Sequence, residues 1–324
     1  MGVKIISNII FLGTAGDSFV VSRQLRYSGG IILQVDDNQF HIDPGPGSLL
    51  AAKQCGVNLR ANTALLVTNN DLYSSNDVNA VIDAMTYSGF DKKGVLIANK
   101  TVVNGTDRHP PALFPFYRDC LERFIVLEAG QRVGVNEIEI QALKTRHSDP
   151  NAIGLKFFTP QFTLVYSSDT RYSVEIVEEY KNSNILVLNI TNPKKSDSRE
   201  TLSSEDAIKI IKAVNPRLAI ITHFGIKMLE SDPLYEIREI QKQTGVQTIA
   251  ARDGMVINPI SYSVDKGQRT LQAYPKKEET KIEVREIKEE PKEEPKETQT
   301  TIEPEEGKEE INDIFLDEDK KVNQ

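Results

Sequence analysis

A succession of short apolar runs separated by turn residues occupies the chain from Ile5 to about Pro259, and no other feature limits the fold more tightly. The early and middle runs include NIIFLG, GIILQV, QFHID, ALLVT, VLIAN, FIVLEA, IEIQALKT, AIGLKFF and FTLVYSS. Several of them follow one another across tight turns, as antiparallel hairpins do. The later runs, NILVLNI, LAIIT and QTIAA, alternate instead with amphipathic stretches, as strands and helices do in βαβ units. Helices are expected over 46–55, 76–87, 172–181, 203–214 and 227–243. In the fourth, Ile208, Ile211 and Val214 recur at helical spacing behind SSED, a capping sequence. These features predict an α+β class.

After Ala273 the pattern stops. The segment 275–324 holds 10 Lys and Arg against 18 Asp and Glu, with scattered prolines and few large apolar residues, so it cannot bury enough surface to offset the entropy of ordering. The chain therefore reads as a folded domain over 1–262, a linker over 263–274 and a disordered acidic tail over 275–324. Within the tail, INDIFLDED at 311–319 sets Ile311, Ile314, Phe315 and Leu316 among acidic residues, which suits a segment that docks on a protein partner. The net charge of −8 belongs to the tail, and the remaining body is balanced. That balance gives nucleic acid binding no electrostatic support. Cys55 and Cys120 form no C-x-x-C pair and read as reduced thiols. The opening MGVKIISNIIFLGTAG lacks the features of a signal peptide, residue 6 is Ile where a myristoylation pattern needs Ser or Thr, and no run spans a membrane. A cytoplasmic protein is expected.

No phosphate-binding loop, dinucleotide fingerprint or nucleophile elbow is present. The candidate chemical residues sit at the ends of apolar runs: Asp43 in FHIDPGPG, His147 in KTRHSDPNAIG, Asp169 in LVYSSDTRYS and His223 in AIITHFG. His41 and His109 read as ordinary structural histidines, and Arg26 as a surface arginine that could instead face an anionic substrate.

Taken in order, FLGTAGD, GGIILQVDDNQFHIDPGPGSLL, the strand-to-helix stretch ALLVTNNDLYSSNDVNAVIDAM, TRHSDPNAIGLKF, LVYSSDTRYS and LAIITHFG resemble the metallo-β-lactamase-fold hydrolases, particularly their ribonuclease Z-like branch. The resemblance covers about 5–260. It implies a four-layer αββα sandwich of two mixed sheets, with one or two metal ions at one edge activating a water against an ester, amide or phosphodiester. It assigns metal-ligand positions to His147, Asp169 and His223, with Asp169 the bridging catalytic carboxylate, and it gives Asp43 a supporting place beneath the metal loop.

The central ligand motif is where this chain departs from that family. Where the family has H-x-H-x-D-H, this chain reads NNDLYS: Asn69 and Asp71 stand for the first two histidines, Tyr73 for the aspartate and Ser74 for the last histidine. Counting the survivors leaves His147, Asp169 and Asp71 for one metal and only Asp169 and His223 for the other, against the three protein ligands a catalytic zinc usually has. Two expectations follow. Either Asp71, His147, Asp169 and His223 gather round a single weakly held ion, zinc or a harder divalent metal, in a single-metal phosphodiesterase- or nuclease-like hydrolase; or the centre is degraded and the protein is impaired or non-catalytic. In the second case Ser74 and Asp77 form a capping box, and His147 persists as a partner of Asp169 while His223 caps a sheet end.

Overall fold

The computed structural model describes residues 7–194 and 200–263. The acidic tail, its 311–319 segment and nearly all of the linker lie outside the described residues. Everything described belongs to one compact unit, Met1–Gln268.

The first half supplies strands β1 (Ser7–Phe11), β2 (Ile31–Val35), β3 (Asn38–Ile42), β4 (Ala64–Val67), β5 (Val95–Ala98) and β6 (Arg123–Val126). The second half supplies β7 (Arg132–Val135), β8 (Ile138–Lys144), β9 (Ile153–Phe158), β10 (Thr163–Tyr166), β11 (Ile185–Asn192), β12 (Leu202–Ser203), β13 (Leu218–Thr222), β14 (Thr248–Ala250) and β15 (Val256–Ile257). Between and after them run α1 (Ser18–Ser22), α2 (Ser48–Gln54), α3 (Leu72–Ser75), α4 (Val78–Thr86), α5 (Lys100–Asn104), α6 (Pro115–Cys120), α7 (Val174–Tyr180), α8 (Ser204–Val214), α9 (Ile226–Glu230) and α10 (Pro233–Thr244).

Two mixed sheets result. One has the order β15-β1-β2-β3-β4-β5-β6. The other runs β14-β13-β11-β10-β9-β8-β7, with β12 added beside β11. The hairpins predicted from adjacent apolar runs are antiparallel β2/β3, β8/β9 and β9/β10. Strands β1 and β2 also pair antiparallel, but across a longer connection that holds α1, whereas β3/β4, β4/β5, β11/β13 and β13/β14 are parallel and have helical crossovers between them.

Three apolar clusters show why the layers stack. Phe11, Leu33, Phe40 and Ile42 of the first sheet meet Ile140, Phe157, Leu164 and Val187 of the second in the space between the sheets. Phe40 and Phe157 touch edge to face there, with ring centres 5.7 Å apart. The outer face of the first sheet packs against α2 and α4 through Leu65, Ala51, Val81 and Ile82. The outer face of the second packs against α7, α8 and α10 through Leu186, Ile176, Ile210 and Ile240. The αββα sandwich is thus the expected one.

The helix expected over 227–243 is two helices. It breaks at Ser231 and Asp232, because Pro233 cannot continue a helix begun before it and Asp232 turns through φ 59°. Ser203 and Asp206 do form the predicted capping box at α8. The one expected at Ser74 and Asp77 does not form: α3 ends at Ser75, and Asp77 instead accepts the backbone N–H groups of Gly47 and Ser48, at 2.9 and 2.8 Å, capping α2 from across the loop.

Candidate functional site

The carboxyl ends of β3, β4, β10, β11 and β13 meet at one edge of the sandwich. Three residues just beyond them adopt the left-handed conformation that costs a residue with a Cβ: Asp43 (φ 51°), Ser168 (φ 56°) and His223 (φ 63°). Close packing holds them there. A Cβ on Gly16 would lie 2.0 Å from the His223 carbonyl oxygen, and one on Gly45 would meet the Ser28 and Tyr73 carbonyls at 2.1 and 2.2 Å.

Asp43 lies beneath the loop that follows β4. Its Oδ1 accepts the Thr68 N–H at 2.8 Å, and its Oδ2 accepts the Thr68 hydroxyl at 2.7 Å and the Tyr166 hydroxyl at 2.8 Å. Burial pushes its carboxyl up to about 7 against the pull of these hydrogen bonds. The Thr68 hydroxyl is also 2.6 Å from that of Ser168, and the Asn69 amide nitrogen donates to both at 3.3 Å. Asn69 Oδ1 in turn accepts the Asp71 N–H at 3.0 Å. The fully buried Asn69 side chain is therefore committed to neighbours of its own loop and of the facing sheet.

The surviving ligand candidates form two pairs. His147 Nε2 lies 3.3 Å from Asp71 Oδ2, and its Nδ1 accepts the Asp149 N–H at 3.1 Å, which fixes the ring's Nε2–H as the donor toward Asp71. Burial opposes charge on His147, but the hydrogen bond and charge of Asp71 outweigh it, so its pKa is raised. His223 Nε2 lies 3.1 Å from Asp169 Oδ1, an oxygen that also accepts the Asn189 amide at 2.9 Å. Burial disfavours both charges in this second pair, yet their mutual attraction and hydrogen bond prevail, raising His223 and lowering Asp169. The expected His147–Asp169 pair is not what forms: Asp71 holds His147, and Asp169 is taken by His223.

Tyr73 and Ser74 line a cavity of about 20 Å³ with Asp43, Tyr166, Asn189 and His223. Small-molecule sites run from about 300 Å³ upward, so this space is too small for an organic substrate. His41, by contrast, is a buried structural imidazole, with Nε2 2.8 Å from the Gly29 carbonyl and burial lowering it to about 4. His109 sits in an exposed loop, and half-buried Arg26 does not line the cavity.

A two-metal centre does not fit this donor set. Asn69, Tyr73 and Ser74 bring an amide, a phenol and a hydroxyl where imidazoles and a carboxylate would be needed, and both remaining imidazoles turn Nε2 to a carboxylate. Among the described residues, no three or more His, Cys, Asp and Glu side chains come together so as to hold a metal ion.

Several organising residues are not evident from the sequence. Asn189 donates to Tyr166 as well as to Asp169. Asp149 accepts the Asn99 amide at 2.8 Å, the Thr101 hydroxyl at 2.6 Å and the Asn70 and Asn151 N–H groups. Their only sequence signal is a polar residue inside or just after an apolar run, such as the Asn within NILVLNI.

The family model for the beta-lactamase superfamily domain matches residues 38–224. The uncharacterized protein MJ1374 of Methanocaldococcus jannaschii is 29% identical over 253 residues, which are 77% of this chain and 94% of that protein. Among solved structures, the metallo-beta-lactamase fold protein YhfI of Bacillus subtilis aligns over 78% of this chain and 99% of its own at 15% identity, with a TM-score of 0.65. Human tRNase Z, short form, aligns over 78% and 98% at 12% identity, with a TM-score of 0.56. No helix among the described residues is long and apolar enough to cross a membrane. The matched span, the two mixed sheets and the strand-end loops establish that the chain belongs to the β-lactamase superfamily and has the metallo-β-lactamase fold.

Proposed function

We propose that this chain is a member of the superfamily in which the two-metal hydrolytic centre has been replaced by a hydrogen-bonded network, leaving a protein that binds rather than hydrolyses. The observation that carries this reading is the place of Asn69. Its amide, at the first ligand position, is bonded to the Thr68 and Ser168 hydroxyls and to the Asp71 N–H, so the corner needed by a first metal is filled by polar contacts among protein groups. A protein partner reached through 311–319 belongs to the same reading, because a polar body with an acidic, apolar-centred segment suits association.

One observation favours a second reading. The charges of Asp71 and Asp169 both reach His147 and His223, so the four donors share one electrostatic neighbourhood. Small side-chain movements would let a single divalent ion replace the two ion pairs, and a phosphodiesterase- or nuclease-like activity would then follow from the fold's resemblance to tRNase Z.

Elemental analysis of the full chain after expression with added zinc or manganese, beside an assay with bis(4-nitrophenyl) phosphate, tests both. Well under one equivalent of metal and no hydrolysis above background is expected. Two tightly held metals with turnover would overturn the first reading, whereas sub-stoichiometric metal and turnover that both vanish in His147→Ala would establish the second.

A further inference from the structure

Away from the strand-end loops, a groove of about 620 Å³ runs between α10 and the edge strand β14, beyond the region matched by the superfamily. Its floor is apolar, built from Leu234, Ile237, Ile249, Ala250 and Met255. Every charged residue lining it is a cation: Arg238, Lys242 and Arg252. Among the described residues none of the three is in an ion pair; Asp253, next to Arg252, is turned away to accept the Thr14 hydroxyl and the Tyr27 N–H. On a body whose charge is otherwise balanced, an apolar trough ringed by three cations and no acid is electrostatically one-sided.

We propose that this groove is a docking site for a short acidic peptide with apolar anchors, presented by a separate partner protein. The volume lies within the size range of ligand-binding clefts. The apolar floor takes alternate side chains, the cations meet the intervening carboxylates, and β14, with no strand on its outer side among the described residues, offers an edge along which an extended segment can lie. The site does not depend on whether the strand-end loops hold a metal.

The test is fluorescence anisotropy of the full chain with a labelled synthetic peptide, Asp-Ile-Phe-Leu-Asp-Glu, and with its charge-reversed counterpart carrying Lys at the acidic positions. Saturable binding is expected for the acidic peptide alone, weakened about tenfold or more by Arg238→Glu with Lys242→Glu and falling between about 50 and about 200 mM salt. Both positions are exposed, so these variants fold. Absence of saturable binding, equal binding of the charge-reversed peptide, or binding unmoved by the double variant would overturn the proposal. If the peptide binds only after Phe315→Ala with Leu316→Ala in the full chain, the occupant is the chain's own acidic segment and the assignment to a separate partner falls. Displacement of the peptide by dodecanoate but not by an unlabelled acidic peptide would likewise overturn it, in favour of an anionic amphiphile.

Discussion

His223 Nε2 and Asp169 Oδ1 stand 3.1 Å apart, and from this pair hydrogen bonds continue without a break to the opposite sheet. Asp169 accepts Asn189, Asn189 donates to Tyr166, Tyr166 donates to Asp43, Asp43 accepts Thr68, and Thr68 meets Ser168 and Asn69. Side chains of both sheets thus tie these strand ends together directly. Such a network rigidifies a fold when its members are satisfied, and among its fully buried side-chain atoms in the described residues Asn189 Oδ1 alone lacks a partner.

The network makes stability depend on pH in a definite direction. Burial raises Asp43 from 3.8 to about 7, so between those values the fold binds more protons than the unfolded chain and stability falls as pH rises. At 1.36 kcal/mol per pKa unit, this one group sets an upper figure of about 4 kcal/mol. His147 and His223 act in the same sense: their raised values contribute stability that is complete below 6.5 and lost as pH climbs through the folded value. Asp169, lowered, contributes above 3.8 and loses its contribution as pH falls through its folded value. With Asp169 adding stability only up to about 3.8 and Asp43 losing it from there to about 7, urea midpoints should peak at about pH 4 and decline toward 8, and Asp43→Asn should flatten the decline. A profile flat from 5 to 8 in the parent chain would contradict this.

Much of the sandwich was legible because burial writes period and length into the sequence. Twelve of the described strands appear as apolar runs, and SSED marks the start of α8, but β7, β12 and β15 do not, β12 and β15 being two residues long and β7 having only two apolar positions set among others. Short helices such as α1, α3 and α5 escaped because five residues or fewer give no helical period. At the site, the order of the strand-end residues identified Asp43, Asp71, His147, Asp169 and His223 as neighbours of one edge. The pairing was not legible: which carboxylate takes which imidazole is set by loop geometry, and Asp149, by donating its N–H to His147 Nδ1, turns that ring toward Asp71.

Asp149 should accordingly be among the costlier side chains to remove. Four donors, from Asn70, Asn99, Thr101 and Asn151, would lose their acceptor in Asp149→Ala, two of them buried. A loss of about 2–4 kcal/mol by chemical denaturation is expected, with Asp149→Asn intermediate because it keeps one acceptor oxygen. A loss below about 0.5 kcal/mol would mean that these donors find other partners.

Asp77 gives a smaller, separable effect. Its carboxylate caps α2 through Gly47 and Ser48 while lying at the start of α4, so Asp77→Ala should cost about 1 kcal/mol and Asp77→Asn less. Ser74→Ala, at the position where the sequence suggested a cap, should lose no capping energy, since Ser74 precedes no helix start. Denaturation of the two alanine variants side by side decides between the two capping schemes.

The converse of the proposed loss of the metal centre is its restoration. Asn69→His, Asp71→His, Tyr73→Asp and Ser74→His together would put back the missing nitrogen and carboxylate donors, remove the Asp71 partner of His147, and leave Asp169 and His223 as ligands for the second ion. Asn69 and Ser74 are buried, at 0% and 1% exposure, so the larger imidazoles must displace contacts, and the metal-free variant should be less stable than the parent by about 2–3 kcal/mol. Zinc should recover that loss through binding, raising the thermal midpoint of the variant and not of the parent. Elemental analysis and melting curves with and without zinc measure both effects. A variant that folds but holds no more zinc than the parent would show that the strand-end loops do not present the ligand positions, and that more than these four side chains separates the chain from a zinc-binding centre.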